Sequence, residues 1–379
     1  MNTNGVEKFT PSRLVLARER RGTTQRDLSA SVGVSDRMIK SYESGQYRPA
    51  EQTVQDLARV LNFPISFFKA PPLDPLDVEA ASFRSMVKAT GTLRRRTLAA
   101  GTFALELHRF LDERFDLPAP DLPDLRSHSA ATKASATARK YQGPERAAEA
   151  LRHMWGLGQR PIQNVIHLLE ARGVRVFSLS EDCDEIDAFS VWRGGVPFIF
   201  LNTRKTAERS IFDAAHELGH LVLHRHGSPQ GQEAENEADA FAAGFLLPEA
   251  AMRAAAPRMP TIAAIATMKA KWHASVAAIG FRLHELELMS DWHYRHFNIE
   301  LSRRGREKEP EPLPRETSAV LRKAFAELAE EGVDLREIAK DLCLPVAEVR
   351  AITFGLGLVD GGKATGSSAP RGSLRLVRG

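Results

Sequence analysis

The sequence is poor in cysteine and has no long apolar run. Its two cysteines, Cys183 and Cys343, lie far apart with no C-x-x-C spacing. That argues against a disulfide-built scaffold and a thiolate zinc site, so any metal must be held by histidine and carboxylate. No run of about eighteen apolar residues exists, which argues against a membrane-spanning helix. The opening MNTNGVEKFT lacks the basic-then-apolar layout of a signal peptide, and a cytoplasmic location is expected. Neither sign of charge dominates, with 52 Lys and Arg against 48 Asp and Glu. The fractions of apolar residues, 43%, and charged residues, 26%, are those of a folded globular chain. A length of 379 residues suits two or three domains.

The small positive excess is concentrated. Residues 1–70 hold eleven Lys and Arg against seven Asp and Glu, a surplus of four that equals the net charge of the whole chain. A local basic surplus favours a polyanionic partner. Within this segment, apolar residues recur three and four apart in short stretches, as in Leu14 and Ala17, Leu28 and Val32, and Val54, Leu57 and Leu61. Gly33 breaks the chain between the second and third stretches, and Ser35 can cap the third. Two short helices about such a turn make a helix-turn-helix.

The segment resembles the Cro/repressor-type (XRE family) DNA-binding domain. The resemblance rests on Thr24-Gln25, Asp27-Leu28, Gly33-Val34-Ser35, Ile39, Glu43, Gly45, Pro49, Leu57-Ala58 and Leu61. It implies double-stranded DNA as partner, with the third helix in the major groove. Asp36, Arg37, Lys40 and Ser41 would then face base edges, while Gln25, Ser44 and Arg48 match positions that meet phosphate. The alternative is a small helical bundle whose charges are merely solvated.

After KAPPLDPLD, whose prolines mark a domain edge, residues 80–115 read as helical, and LPAPDLPDL breaks the chain again. Helix resumes over residues 128–172. His108, His153 and His167 stand alone on these stretches and are expected to be structural or surface histidines. From Val174 the period changes to that of strands, VRVFSLS, AFSVWR and, past Gly194-Gly195, VPFIFLN. Val196 to Leu201 is the candidate for an edge strand that pairs with an extended substrate, the alternative being an ordinary core hairpin.

FDAAHELGHLVL follows, with His216, Glu217 and His220 in the spacing H-E-x-x-H. Residues four apart on a helix differ by about 40° in azimuth, so both imidazoles project from one face and can grip one ion. Glu217 sits one step round, placed to take a proton from water, and the pattern is that of a zinc hydrolase with a general base. A third ligand is needed. The downstream helix QEAENEADAFAAGFLLP offers Glu233, Glu235, Glu237 and Asp239. Glu235 and Asp239 share a face beside the apolar Ala238, Phe241, Ala242 and Phe245. Glu235 is therefore the candidate ligand, with Asp239 supporting a ligand from behind. Glu237, about 200° from Glu235, is expected toward solvent. Glu237 and Glu233 remain the alternative ligands. Zinc suits this donor set, with manganese or iron as alternatives. No oxyanion donor stands out among His224, His226, His284, His293, Tyr294 and His296; a capping or supporting role is expected for His224.

HELGH followed by Glu235, Ala238, Phe241, Ala242, Phe245, Leu246 and Pro248 resembles the ImmA/IrrE family of metallopeptidases. The resemblance spans roughly residues 160–300. It implies Zn2+ on His216, His220 and Glu235, Glu217 as base, and a repressor protein as substrate. The expected architecture is α+β, mostly α: a helix-turn-helix domain over 1–70, a linker and helical connector over 71–145, a zincin-like metallopeptidase domain over 146–300, and a C-terminal helical module with a disordered tail over 301–379. DLREIAKDLCLPVAEVRAI repeats a helix-turn-helix cadence, for which docking or dimerisation is expected rather than a second DNA contact. The expected function is that of a DNA-binding regulator with endopeptidase activity toward a repressor or antitoxin-like protein, as monomer or homodimer. The alternatives are a regulator whose peptidase fold is a sensor or binding platform, and a DNA-binding antitoxin.

Overall fold

The computed structural model describes residues 8–76, 89–127, 142–179, 186–225, 231–303 and 311–356. The architecture is mostly helical with one small sheet. Helix α1 (Pro11–Arg20) begins on a proline, whose missing N–H costs nothing at a helix start. Helix α2 (Gln25–Val32) is capped by Thr24, whose hydroxyl accepts from the Asp27 amide, and ends on Gly33 at φ +74°. Helix α3 (Asp36–Glu43) is capped by Ser35 in the same way. Helices α4 (Glu51–Leu61) and α5 (Ile65–Lys69) close the bundle over Leu14, Ala17, Leu28, Ile39, Val54 and Leu57, all fully buried. Arg18 clasps Glu43 with two hydrogen bonds of 2.5 and 3.1 Å, tying α1 to α3.

Helix α6 (Gly91–Asp112) runs from the bundle to the sheet. Residues 80–88 of the expected helix lie outside the described residues, as does 128–141 of the next. Helices α7 (Gln142–Met154) and α8 (Val165–Ala171) precede the strands β1 (Arg175–Leu179), β2 (Ala188–Arg193) and β3 (Val196–Asn202). The sheet order is β1-β3-β2. Strand β3 runs parallel to β1 and antiparallel to β2, which it meets through the Gly194-Gly195 turn at φ +57° and +81°. The expectation of Val196–Leu201 as an edge is therefore corrected: β3 is central, paired on both sides, and β2 is the edge strand nearest the H-E-x-x-H helix. Its run of apolar residues suits a strand covered on both faces.

Those faces belong to two different cores. Side chains alternate along a strand. Phe198 and Phe200 stack with Phe177 and Phe189 in a core that also takes in α1, α4, α6 and the C-terminal helices. Ile199 and Leu201 point into a second core, built on α9 (Ala207–Leu223), α10 (Gln232–Leu246), α11 (Glu249–Ala255), α12 (Ile262–Trp272), α13 (Val276–Glu285) and α14 (Asp291–Arg303). Two buried ion pairs stiffen this second core: Arg282 to Glu145 at 2.8 Å and Lys269 to Glu208 at 2.7 Å.

Helices α15 (Ala319–Glu330), α16 (Leu335–Asp341) and α17 (Val346–Ile352) form the C-terminal module. They have the helix-turn-helix cadence, but α17 is docked inside the chain against α6 and β1. Its Val349 and Ile352 are buried, and Glu348 accepts from Arg20 at 2.7 Å and Arg21 at 2.5 Å. The helix in the position that would read DNA is thus spent on an intramolecular contact. The first core crosses the expected boundaries at residues 70 and 300, and the expected tail lies outside the described residues.

His108, on α6, stands edge-on to Phe198 with ring centroids 5.1 Å apart. Burial and the nearby Arg175 hold its pKa down at about 4. A histidine with a depressed folded pKa stabilises fully above its unfolded value near 6.5, and that stability is lost as pH falls toward 4. Denaturant midpoints at pH 6.5 and pH 4.5 isolate this contribution when wild type is compared with a variant that lacks the imidazole, because Glu170, Asp213 and Glu316, raised to about 7 by burial, gain stability over the same range in both proteins. The His108→Leu variant should lose on the order of 2 kcal/mol less over that range than wild type.

Candidate metal centre and nucleic-acid interface

Helices α9 and α10 cross at close range because α9 presents Gly219 at the crossing. A Cβ there would lie 3.1 Å from the Phe241 ring and 3.3 Å from the Ala238 backbone. The approach brings His216 and His220 of α9 against Glu235 of α10. His216 Nε2 and His220 Nε2 are 3.1 Å apart, and Glu235 places its two oxygens 3.4 Å and 3.5 Å from them. Three donors on a tetrahedral ion with bonds of about 2.0–2.1 Å stand about 3.3 Å apart. The donor set and its spacing therefore fit a zinc ion.

Both imidazoles are fixed from behind, which aims their Nε2 atoms at the shared point. His216 Nδ1 is 2.8 Å from Asp239, the residue expected in this role. His220 Nδ1 is 2.8 Å from His224 Nδ1, and His224 Nε2 is 3.1 Å from Glu237. Glu237 does not face solvent as expected: the azimuth that takes it away from Glu235 carries it onto His224, at the end of α9. Glu233 is exposed at the start of α10 and outside the cluster. Burial disfavours protonation of His216, but its hydrogen bonds to Asp239 and Glu235 prevail and raise its pKa to about 10. Burial also works against ionising Glu235, yet the hydrogen bonds from His216 and His220 bring it to about 2.

Glu217 is buried, and its carboxylate accepts a 2.6 Å hydrogen bond from Ser190 of β2. Sequence reasoning missed Ser190. The available signal was a hydroxyl in the otherwise apolar run Ala188–Trp192, buried at 3% exposure. Trp192 of the same strand donates to the Leu221 carbonyl at 3.1 Å, so β2 is fastened along α9. Among the remaining oxyanion candidates, His284 pairs with Asp291, His293 with Ser290, and His296 with the Trp292 carbonyl. His226 lies outside the described residues.

On the side of the sheet that faces the first core, Arg37 and Lys40 lie exposed on one side of α3, and Ser44 and Arg48 are exposed just beyond it. Gln25 begins α2 and donates to Glu43 at 2.6 Å. Asp36 is exposed but accepts from the Ser29 hydroxyl of α2. Ser41 is corrected: it is 6% exposed, on the inward side of α3 next to Tyr42, and cannot reach a base from there.

Residues 14–68 match the family described as helix-turn-helix, and residues 169–284 match the peptidase family described as IrrE N-terminal-like domain. The chain carries a helix-turn-helix domain and an IrrE-like domain. Over 65 residues it is 34% identical to a protein of Sinorhizobium medicae (strain WSM419) named as an uncharacterized HTH-type transcriptional regulator. A protein of the same description from Rhizobium meliloti (strain 1021) matches equally. The match covers 17% of this chain and 47% of each relative, so the chain spans about half the length of the curated relatives it matches. The metal-fitting cluster lies within the IrrE-like segment. Among the described residues no helix is long and apolar enough to cross a membrane.

The close crossing at Gly219 is a sensitive point. Replacing it by valine adds atoms against a ring and a backbone. The overpacking cost of about 1–3 kcal/mol exceeds the gain of less than about 1 kcal/mol from removing a helical glycine. Gly219→Val should lower the thermal midpoint, measured by circular dichroism.

Proposed function

We propose that the protein is a DNA-binding transcriptional regulator with a zinc-dependent endopeptidase site that cuts a partner repressor or antitoxin-like regulator. The observation that carries the catalytic half is the set of three donor atoms 3.1–3.5 Å apart beside a buried carboxylate that a strand serine holds in place. Zinc on His216, His220 and Glu235 would supply Lewis-acid polarisation of the scissile carbonyl and acidify the attacking water. Glu217 takes the proton from that water and hands it to the departing amine. Ser190 holds the Glu217 carboxylate in one orientation, and Asp239 and the His224-Glu237 pair hold the imidazoles. The β2 edge lies beside Glu217, where an extended substrate backbone can add as a further strand.

The DNA-binding half rests on the exposed Arg37 and Lys40 of α3 and the basic surplus of the segment that carries them. A guanidinium on this face suits a guanine edge, and the flanking Ser44 and Arg48 suit phosphates.

Incubated with zinc and the proteins encoded beside its gene, the wild type should truncate one of them. Glu217→Gln should retain stoichiometric zinc by mass spectrometry while cleaving at least about a hundredfold more slowly. If neither protein cuts any candidate, the peptidase reading gives way to a binding platform. Arg37→Ala should cost about 1–3 kcal/mol of binding to a selected duplex and relax the preference at one base pair, read by fluorescence anisotropy. Unchanged affinity and preference would remove Arg37 from the interface.

A further inference from the structure

The first turn of α6 lies against the end of α1 and the turn that follows it, and with the start of α2 these enclose a polar cleft of about 310 Å³. Arg18, Gly22, Thr24 and Gln25 line it from the helix-turn-helix side, and Thr92 and Arg95 from α6. The contact is close: the Thr92 methyl is 3.4 Å from where a Cβ on Gly22 would stand. Arg95 is the second of three consecutive arginines, Arg94 to Arg96, and its side chain is 51% exposed. Gln25 joins the cleft to the α3 region, because its amide bonds to Glu43 at the end of that helix.

We propose that Thr92 and Arg95 form a second contact with the DNA backbone, gripping a phosphate outside the base pairs that α3 reads. This rests on the DNA-binding reading of α3. In a docked helix-turn-helix the helix before the reading helix crosses the phosphate backbone. The start of α2 is its Thr24-Gln25 end, and the cleft places a hydroxyl and a guanidinium from α6 beside it. The chemistry suits a phosphodiester, with an arginine fork for the anionic oxygens and a threonine hydroxyl as a further donor.

One carboxylate opposes this. Glu19 also lines the cleft and stands 3.5 Å from Arg95 Nε. That spacing leaves a loose, half-exposed pair, which contributes little and is screened by salt. Arg18, the other cation lining the cleft, is already held by Glu43. Arg95 is therefore the α6 cation lining the cleft, and it can turn to a phosphate at small cost. The contact would come from a helix outside the helix-turn-helix segment of residues 14–68, whose far end packs on the sheet.

The test uses the full-length chain and a duplex that it enriches from a random-sequence pool. Affinity is measured by anisotropy across a salt series, on the duplex with long flanks and on one trimmed to the bases that α3 protects. On the long duplex, Arg95→Gln should reduce the slope of log affinity against log salt by about 0.9 and weaken binding severalfold, with base preference unchanged. Arg95→Lys should restore most of the slope. On the trimmed duplex, wild type and Arg95→Gln should bind alike. Equal slopes on the long duplex would overturn the proposal. So would an equal loss on both duplexes, because α6 would then act by orienting the helix-turn-helix. A wild type that enriches no duplex would remove the DNA reading itself, and the proposal with it.

Discussion

Strand β3 has no face that it can leave to water. Phe198 and Phe200 on one side and Ile199 and Leu201 on the other are all essentially buried, so helices must cover both surfaces of a three-stranded sheet. At about 25 cal/mol per Å² of apolar surface removed from water, four large side chains outweigh any single polar contact in the protein. The sheet is consequently a shared wall. The helix-turn-helix bundle, α6 and the C-terminal helices gather on one side, and the helices of the metal-fitting cluster on the other. Arg20 and Arg21, which hold Glu348 across more than three hundred residues of sequence, seal the first side with charge. The second is sealed by Arg282 with Glu145 and Lys269 with Glu208.

The candidate catalytic centre is a product of that wall. Strand β2 lies along α9 because its inner face belongs to the same core, and Ser190 thereby meets Glu217. Helix α10 reaches α9 because Gly219 leaves room for Phe241 and Ala238. Each imidazole then has a partner behind it, so the rings are oriented before any ion arrives. The polar pairs at the site cost desolvation that the surrounding apolar core must offset. That is why Phe241 and Phe245 crowd the same helix as four carboxylates.

Much of this was legible along the chain because it depends on positions within one helix. A spacing of four puts His216 and His220 on one face, and Glu235 and Asp239 on another. Serine and glycine at Ser35 and Gly33 mark helix ends through local hydrogen bonds and backbone sterics. Strand β3 itself was legible in the run VPFIFLN past the Gly194-Gly195 turn. Its place in the middle of the sheet was not, because strand order depends on which partner arrives from β1. Glu237 was misjudged for a similar reason: azimuth says which way a side chain leaves its own helix, and it says nothing of whether His224 waits there.

The sequence by itself therefore determined the chemistry that each helix could present: an imidazole pair with a neighbouring carboxylate, a second acidic helix, and a basic segment of short capped helices. Periodicity and capping act over a few residues, so they survive without knowledge of the fold. Only the tertiary structure decided which of those groups meet. It set Ser190 against Glu217, turned Glu237 onto His224, buried Ser41, docked α17 into the chain, and brought Arg95 to the cleft that Gln25 also lines. Contacts between residues distant in sequence follow from how the two cores divide the faces of one sheet, and no spacing along the chain encodes that division.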